Sequence, residues 1–108
     1  MILEVSGDCA GVPPGVDLSA YRIIQEALTN VLKHAGPATA SVTISYGDED
    51  LDLVVTDDGV VGSNGNSRGH GLVGIRERVA VVGGQVNAGP GESGGFVVRA
   101  HLPYSVEA

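Results

Sequence analysis

The run Tyr21–Ala35, YRIIQEALTNVLKHA, constrains the fold more than any other stretch of the chain. Ile24, Ala27, Leu28, Val31, Leu32 and Ala35 recur at three- and four-residue spacing, which predicts an amphipathic helix with that stripe against a core. Glu26, Asn30 and Lys33 are then expected on the opposite face. Residues three and four apart are neighbours on a helix, so a carboxylate, an amide and a cation could converge on one object. Such a column suits magnesium and phosphate, although any amphipathic helix also needs a solvated face.

Strand patterns surround this helix. Ile2–Val5 fit a short strand, while Pro13-Pro14-Gly15 is expected to exclude regular structure and leave Asp17 or Ser19 as the N-cap. Gly36-Pro37 should stop the helix. Val42, Ile44 and Tyr46 alternate with Thr43 and Ser45, and after the turn at Gly47–Asp50 the pattern returns in Leu51, Leu53 and Val55. Continued by two residues, that alternation puts Asp57 on the apolar face, where a carboxylate is costly unless something bonds it. Asp58–Gly71 reads as a glycine-, asparagine- and serine-rich loop, long enough to suggest a lid or binding loop. Leu72, Ile75, Val79 and Val82 mark a second helix closed by Gly83-Gly84, and Val86–Ala88 and Phe96–Leu102 form a last strand pair. Pro103 should end the sheet and leave a frayed tail. Helices mixed with antiparallel hairpins predict one α+β domain over residues 1–108, a two-layer α/β sandwich with a mixed, mainly antiparallel sheet covered on one face.

Composition narrows the function. With 108 residues, the chain buries about two-thirds of its unfolded surface and stands without staples. Its single cysteine, Cys9, permits no internal disulfide, which fits a reduced, cytoplasmic setting. No apolar run approaches membrane-spanning length, so no membrane contact is expected. The net charge is −7, and the six cations (Arg22, Lys33, Arg68, Arg76, Arg78, Arg99) are scattered, which argues against nucleic acid. An acidic domain that binds a polyphosphate needs a divalent metal and local donors.

Several motifs fail on context. Gly69-His70-Gly71-Leu72-Val73-Gly74 matches G-x-G-x-x-G, but a polar loop precedes it and no strand-end acid follows at the required distance. What survives is that small residues ahead of a helix let backbone N–H groups approach an anion. There is no P-loop, no G-x-S-x-G, and no zinc spacing among His34, His70, His101 and Cys9.

Taken together, EALTNVLKHA, DDG at a strand end, GHGLVGIRERV and a glycine-rich turn before a strand ending in LP resemble the ATP-binding domain of two-component sensor histidine kinases. The form of the first box is similar to that of the subfamily related to nitrate and degradative-enzyme sensors. The resemblance spans Tyr21–Pro103 and implies the Bergerat fold of the wider group that includes type II topoisomerases and heat-shock chaperone ATPases.

It also implies roles. Asn30 would ligate the magnesium that bridges the ATP phosphates, Glu26 would be the catalytic acid that positions or polarises the acceptor or a water, and Lys33 and His34 would lie by the phosphates. Asp57 would accept a hydrogen bond from the adenine amine, and Gly59 would let the backbone pass close to the base. Gly69, His70, Gly71 and Leu72 would meet the phosphates at the start of the second helix. Two departures stand out: Val61 replaces a glycine of the D-x-G-x-G pattern, and Gly94-Gly95-Phe96 lacks the hydroxyl of the usual Gly-Thr. His34, His70 and His101 are followed by Ala35, Gly71 and Leu102, whereas the phosphoacceptor histidine of this subfamily is followed by an acid. The implied partners are therefore a separate dimerisation domain carrying that histidine and, indirectly, a response regulator, with the isolated domain a monomer unable to autophosphorylate. The alternatives are an anti-sigma-factor-type serine kinase of the same fold and a degenerate module that has lost ATP.

Overall fold

A computed structural model of the chain describes residues 2–7, 11–34, 39–59, 65–91 and 94–104, with 33–34 and 65–71 described by backbone alone. Five strands and two helices run in the order β1 (Ile2–Ser6), α1 (Pro14–His34), β2 (Ala40–Tyr46), β3 (Asp50–Asp57), α2 (Gly65–Val81), β4 (Gln85–Pro90) and β5 (Phe96–Pro103). The strands form one sheet ordered β1-β2-β3-β5-β4. β1 pairs parallel to β2 and every other ladder is antiparallel, giving the expected mixed sheet.

Alternation decides which face of the sheet is covered. Val42 on β2, Leu51, Leu53 and Val55 on β3, and Phe96, Val98, Ala100 and Leu102 on β5 are all buried beneath the helices. The opposite face carries Asp52, Val54, Thr56, Arg99 and His101 and, among the described residues, has no helix over it. Ile23, Leu51, Leu53, Ile75 and Leu102 are almost completely buried, each contributing about 1.5–3 kcal/mol of apolar transfer energy.

α1 begins earlier than the prolines suggested. The Asp17 amide donates to the Pro13 carbonyl at 3.0 Å, so the first helical hydrogen bond closes over Pro14. Proline suits that first position because its absent N–H would have no helical acceptor there. The buried stripe of α1 is Val16, Ala20, Ile23, Ala27 and Asn30, rotated from the expected one. Ile24 and Leu28 pack only at the margin of the core, and Leu32 is 83% exposed. The apolar positions of α1 span more than one face, so spacing alone did not identify the stripe that meets the sheet.

α2 also starts early, at Gly65 instead of Leu72, and takes in half of the expected loop. Glycine, serine and asparagine are weak helix formers, which hid the first turns. The end of α2 follows its glycines. Gly83 has φ +74° and its amide donates to the Ala80 carbonyl, while the Gly84 amide donates to Val79, which together make a Schellman cap. At the C-terminus, Tyr104 is buried and pinned instead of frayed. Its amide donates to the Glu49 carbonyl, and its hydroxyl donates to the Gly47 carbonyl at 2.7 Å, tying the chain to the β2–β3 turn. Residues 105–108 lie outside the described residues.

Candidate functional site

The ladders bring three strand ends together. Ala40 at the start of β2, Asp57 at the end of β3 and Phe96 at the start of β5 share one rung. α1 connects directly into β2, so its C-terminal turns, with Asn30, lie toward this end of the sandwich. α2 enters from the same end, because β3 leads into it and it hands the chain to β4 at the other end.

Asp57 sits on the covered face, as its alternation required, and is buried. The Gly59 amide donates to its Oδ1 at 2.9 Å, a local turn that fixes the carboxylate against the strand end. Asp58 braces the same place from outside. Its Oδ1 accepts the Thr39 amide at 2.6 Å, and its own amide donates to the Thr39 carbonyl, closing β2 onto β3 just past Asp57. The sequence reading missed this second acid, since only its strand-end position signals such a role.

Asn30 occupies the next position of the buried stripe after Ala27, where an apolar residue would serve the core better. Its Oδ1 is buried and has no hydrogen-bond partner among the described residues. An unsatisfied buried acceptor costs about 1–3 kcal/mol, so this oxygen is destabilising unless something meets it. Its placement differs from the solvated face expected for it, yet it strengthens the case for a ligand.

Glu26, one turn before Asn30, faces α2 instead of standing in a free column with Asn30 and Lys33. The Arg78 Nε–H donates to Glu26 Oε1 at 2.7 Å in a partly buried ion pair. Arg78 was not singled out from the sequence; Gly74, a lone glycine inside the pattern of α2, was the available signal of close approach. The side chains of Lys33, His34 and His70 lie outside the described residues, as do Val61 and Gly62. Gly69, His70, Gly71 and Leu72 fall in the second turn of α2 instead of its first, and the Leu72 side chain is buried in the core.

Phe96 is buried opposite Asp57. Just before it, Gly95 has φ +71°, and a Cβ there would collide with the Asp57 carbonyl. The β3–β5 junction therefore demands glycine at that point. A depression of about 490 Å³ is lined by Thr56, Asp57, Asn87, Gly89, Val97 and Arg99 and so reaches the strand end that carries Asp57.

Residues 15–106 match the family described as histidine kinase-, DNA gyrase B-, and HSP90-like ATPase. The chain is 37% identical over 106 residues to the sensor histidine kinase YxjM of Bacillus subtilis, covering 94% of this chain and 26% of that protein. It thus spans about a quarter of that relative's length. The histidine kinase domain of the Erythrobacter litoralis EL346 blue-light activated histidine kinase superposes with a TM-score of 0.65 at 25% identity, over 94% of this chain and 51% of that one. The catalytic domain of histidine kinase ThkA shares the fold, with a TM-score of 0.70 at 14% identity over 98% of this chain and 80% of that domain. Among the described residues no helix is long and apolar enough to cross a membrane. The chain belongs to the histidine kinase-, DNA gyrase B-, and HSP90-like ATPase family, and the relatives it resembles are sensor histidine kinases.

Proposed function

We propose that the chain binds Mg·ATP between α1 and α2, at the Asp57 end of the sheet, and presents the γ-phosphoryl group to a histidine outside these residues. The observation that carries the reading is the buried, unpartnered Oδ1 of Asn30. An amide oxygen is a hard, neutral donor that suits magnesium, a cation that takes few protein ligands and completes its shell with phosphate and water. Bound there, magnesium would neutralise charge on the phosphates.

The remaining tasks fall to the chain itself. Asp57 accepts a hydrogen bond from the exocyclic amine of adenine, its carboxylate oriented by the Gly59 amide. Guanine would set a carbonyl against that carboxylate and be rejected. Gly59 leaves room for the base. Lys33 and His34 are proposed to lie close to the phosphates and Gly69, His70, Gly71 and Leu72 to border them, Leu72 through its backbone because its side chain belongs to the core. Phosphoryl transfer depends mainly on positioning and charge neutralisation, and a helix and a strand end are sufficient for that. As the bond from the γ-phosphorus to the acceptor nitrogen forms, the bond to the β,γ-bridging oxygen breaks and ADP is left.

None of His34, His70 and His101 is followed by an acid, so the acceptor histidine belongs to a separate dimerisation domain that passes the phosphoryl group on to a response-regulator aspartate. The domain itself is a monomer and works in the ATP-rich cytoplasm. The test is a chimera that places the dimerisation domain of the YxjM relative ahead of this one, supplied with ATP labelled in the γ-phosphate. Acid-labile, base-stable label on the histidine domain supports the reading. Acid-stable label points to a serine kinase, and absence of label in a chimera that binds ATP contradicts catalysis.

A further inference from the structure

Both oxygens of the Glu26 carboxylate are directed at α2. Oε1 accepts the Arg78 Nε–H at 2.7 Å, and Oε2 lies 2.6 Å from where a Cβ on Gly74 would stand. The glycine therefore provides the space in which the carboxylate sits against the backbone of α2 and still reaches Arg78. Any larger residue at position 74 would displace it. Asn30 follows Glu26 by one turn on α1 and is buried, while Glu26 is partly exposed in the seam between the helices. In this conformation the carboxylate points at the neighbouring helix and is engaged by Arg78.

We infer that Glu26, Arg78 and Gly74 form a clamp that fixes α2 against α1 and so positions the N-terminal half of α2 beside Asn30, making Arg78 a positioning residue for nucleotide. The inference rests on the reading that nucleotide binds between the two helices. It reassigns Glu26 from contact with the reacting atoms to alignment of the helix that borders them. Residues up to about two and a half turns of helix ahead of Gly74 feel it because a helix moves as a rigid element about its fixed point.

The test is a calorimetric titration of the whole chain with Mg·ATP, beside Arg78→Ala, Arg78→Lys, Gly74→Ala and the double variant Glu26→Ala/Arg78→Ala, at a temperature where all are folded. Amide hydrogen exchange is followed over residues 65–74. The clamp predicts that Arg78→Ala and Gly74→Ala each weaken Mg·ATP about three- to fivefold and speed exchange in that segment. The double variant should be no weaker than Arg78→Ala, as expected of two groups that act through one contact. Arg78→Lys should recover part of the loss. By helix propensity alone, Gly74→Ala would strengthen α2, so a loss there separates the clamp from general stability. If Arg78→Ala lowers the melting temperature but leaves affinity and exchange unchanged, the pair is merely structural and the inference is overturned, while nucleotide binding stands. A parent chain that does not bind Mg·ATP would remove both readings.

Discussion

Asp57 and Phe96 stand opposite each other on the β3–β5 ladder, both buried on the helix-covered face. Gly95, just before Phe96, stands where the usual pattern has a threonine, so that position supplies no hydroxyl to the carboxylate. A hydrogen bond made in such a place is stronger than one in water. Asp57 is therefore expected to carry adenine recognition without a hydroxyl beside it. Asp57→Ala should weaken ATP about ten- to a hundredfold, in line with about 1.5–3 kcal/mol for a charged hydrogen bond. Parallel titrations with ATP and GTP check this; unchanged ATP affinity would show that the base is read elsewhere.

Asn30 places stability and function in opposition. Replacing it with an apolar residue of similar size removes the unpartnered oxygen from the core. Asn30→Leu should therefore be as stable as the parent or about 1 kcal/mol more stable in the absence of nucleotide. Urea unfolding measures the difference. A loss of several kcal/mol would mean that the oxygen is already satisfied within the fold.

Gly94 and Gly95 should respond differently to the same change. Both have positive φ, but a Cβ on Gly94 meets open space, whereas one on Gly95 meets the Asp57 carbonyl. Gly94→Ala should cost about 1 kcal/mol from backbone strain alone. Gly95→Ala should cost distinctly more and should also impair ATP binding, because the collision falls on the strand end that holds Asp57. Equal effects in both variants, by thermal unfolding and titration, would refute this.

Tyr104→Phe isolates the bond that pins the chain's end to the β2–β3 turn. Its loss should cost about 1 kcal/mol, lowering the melting temperature by about 4–8 °C for a domain of this size, with nucleotide affinity unchanged. A change in affinity would mean that the far end of the sheet communicates with the site.

The sheet was legible because alternation is a period-two signal with little ambiguity. It placed Leu51, Leu53, Val55 and Asp57 on one face before any coordinates, and the structure keeps them there. The helices were harder. α1 carries apolar residues around more than half its circumference, so the stripe that meets the sheet, ending in Asn30, could not be told from the half-exposed one through Leu28. Pro14 and the glycines after Gly65 read locally as breakers, yet first-turn geometry and tertiary contacts accommodate them. The Glu26–Arg78 pair joins residues far apart in sequence, and no local pattern records which carboxylate a surface arginine will meet.

The orphaned oxygen of Asn30 is there for a magnesium-bound nucleotide. The decisive measurement is calorimetric titration of the chain with ATP and GTP, with and without magnesium, beside Asn30→Leu. Expected are adenine-selective binding that strengthens with magnesium in the parent, and loss of that magnesium-dependent part in the variant. Binding that ignores magnesium, or an Asn30→Leu chain that retains the full magnesium effect, would contradict it.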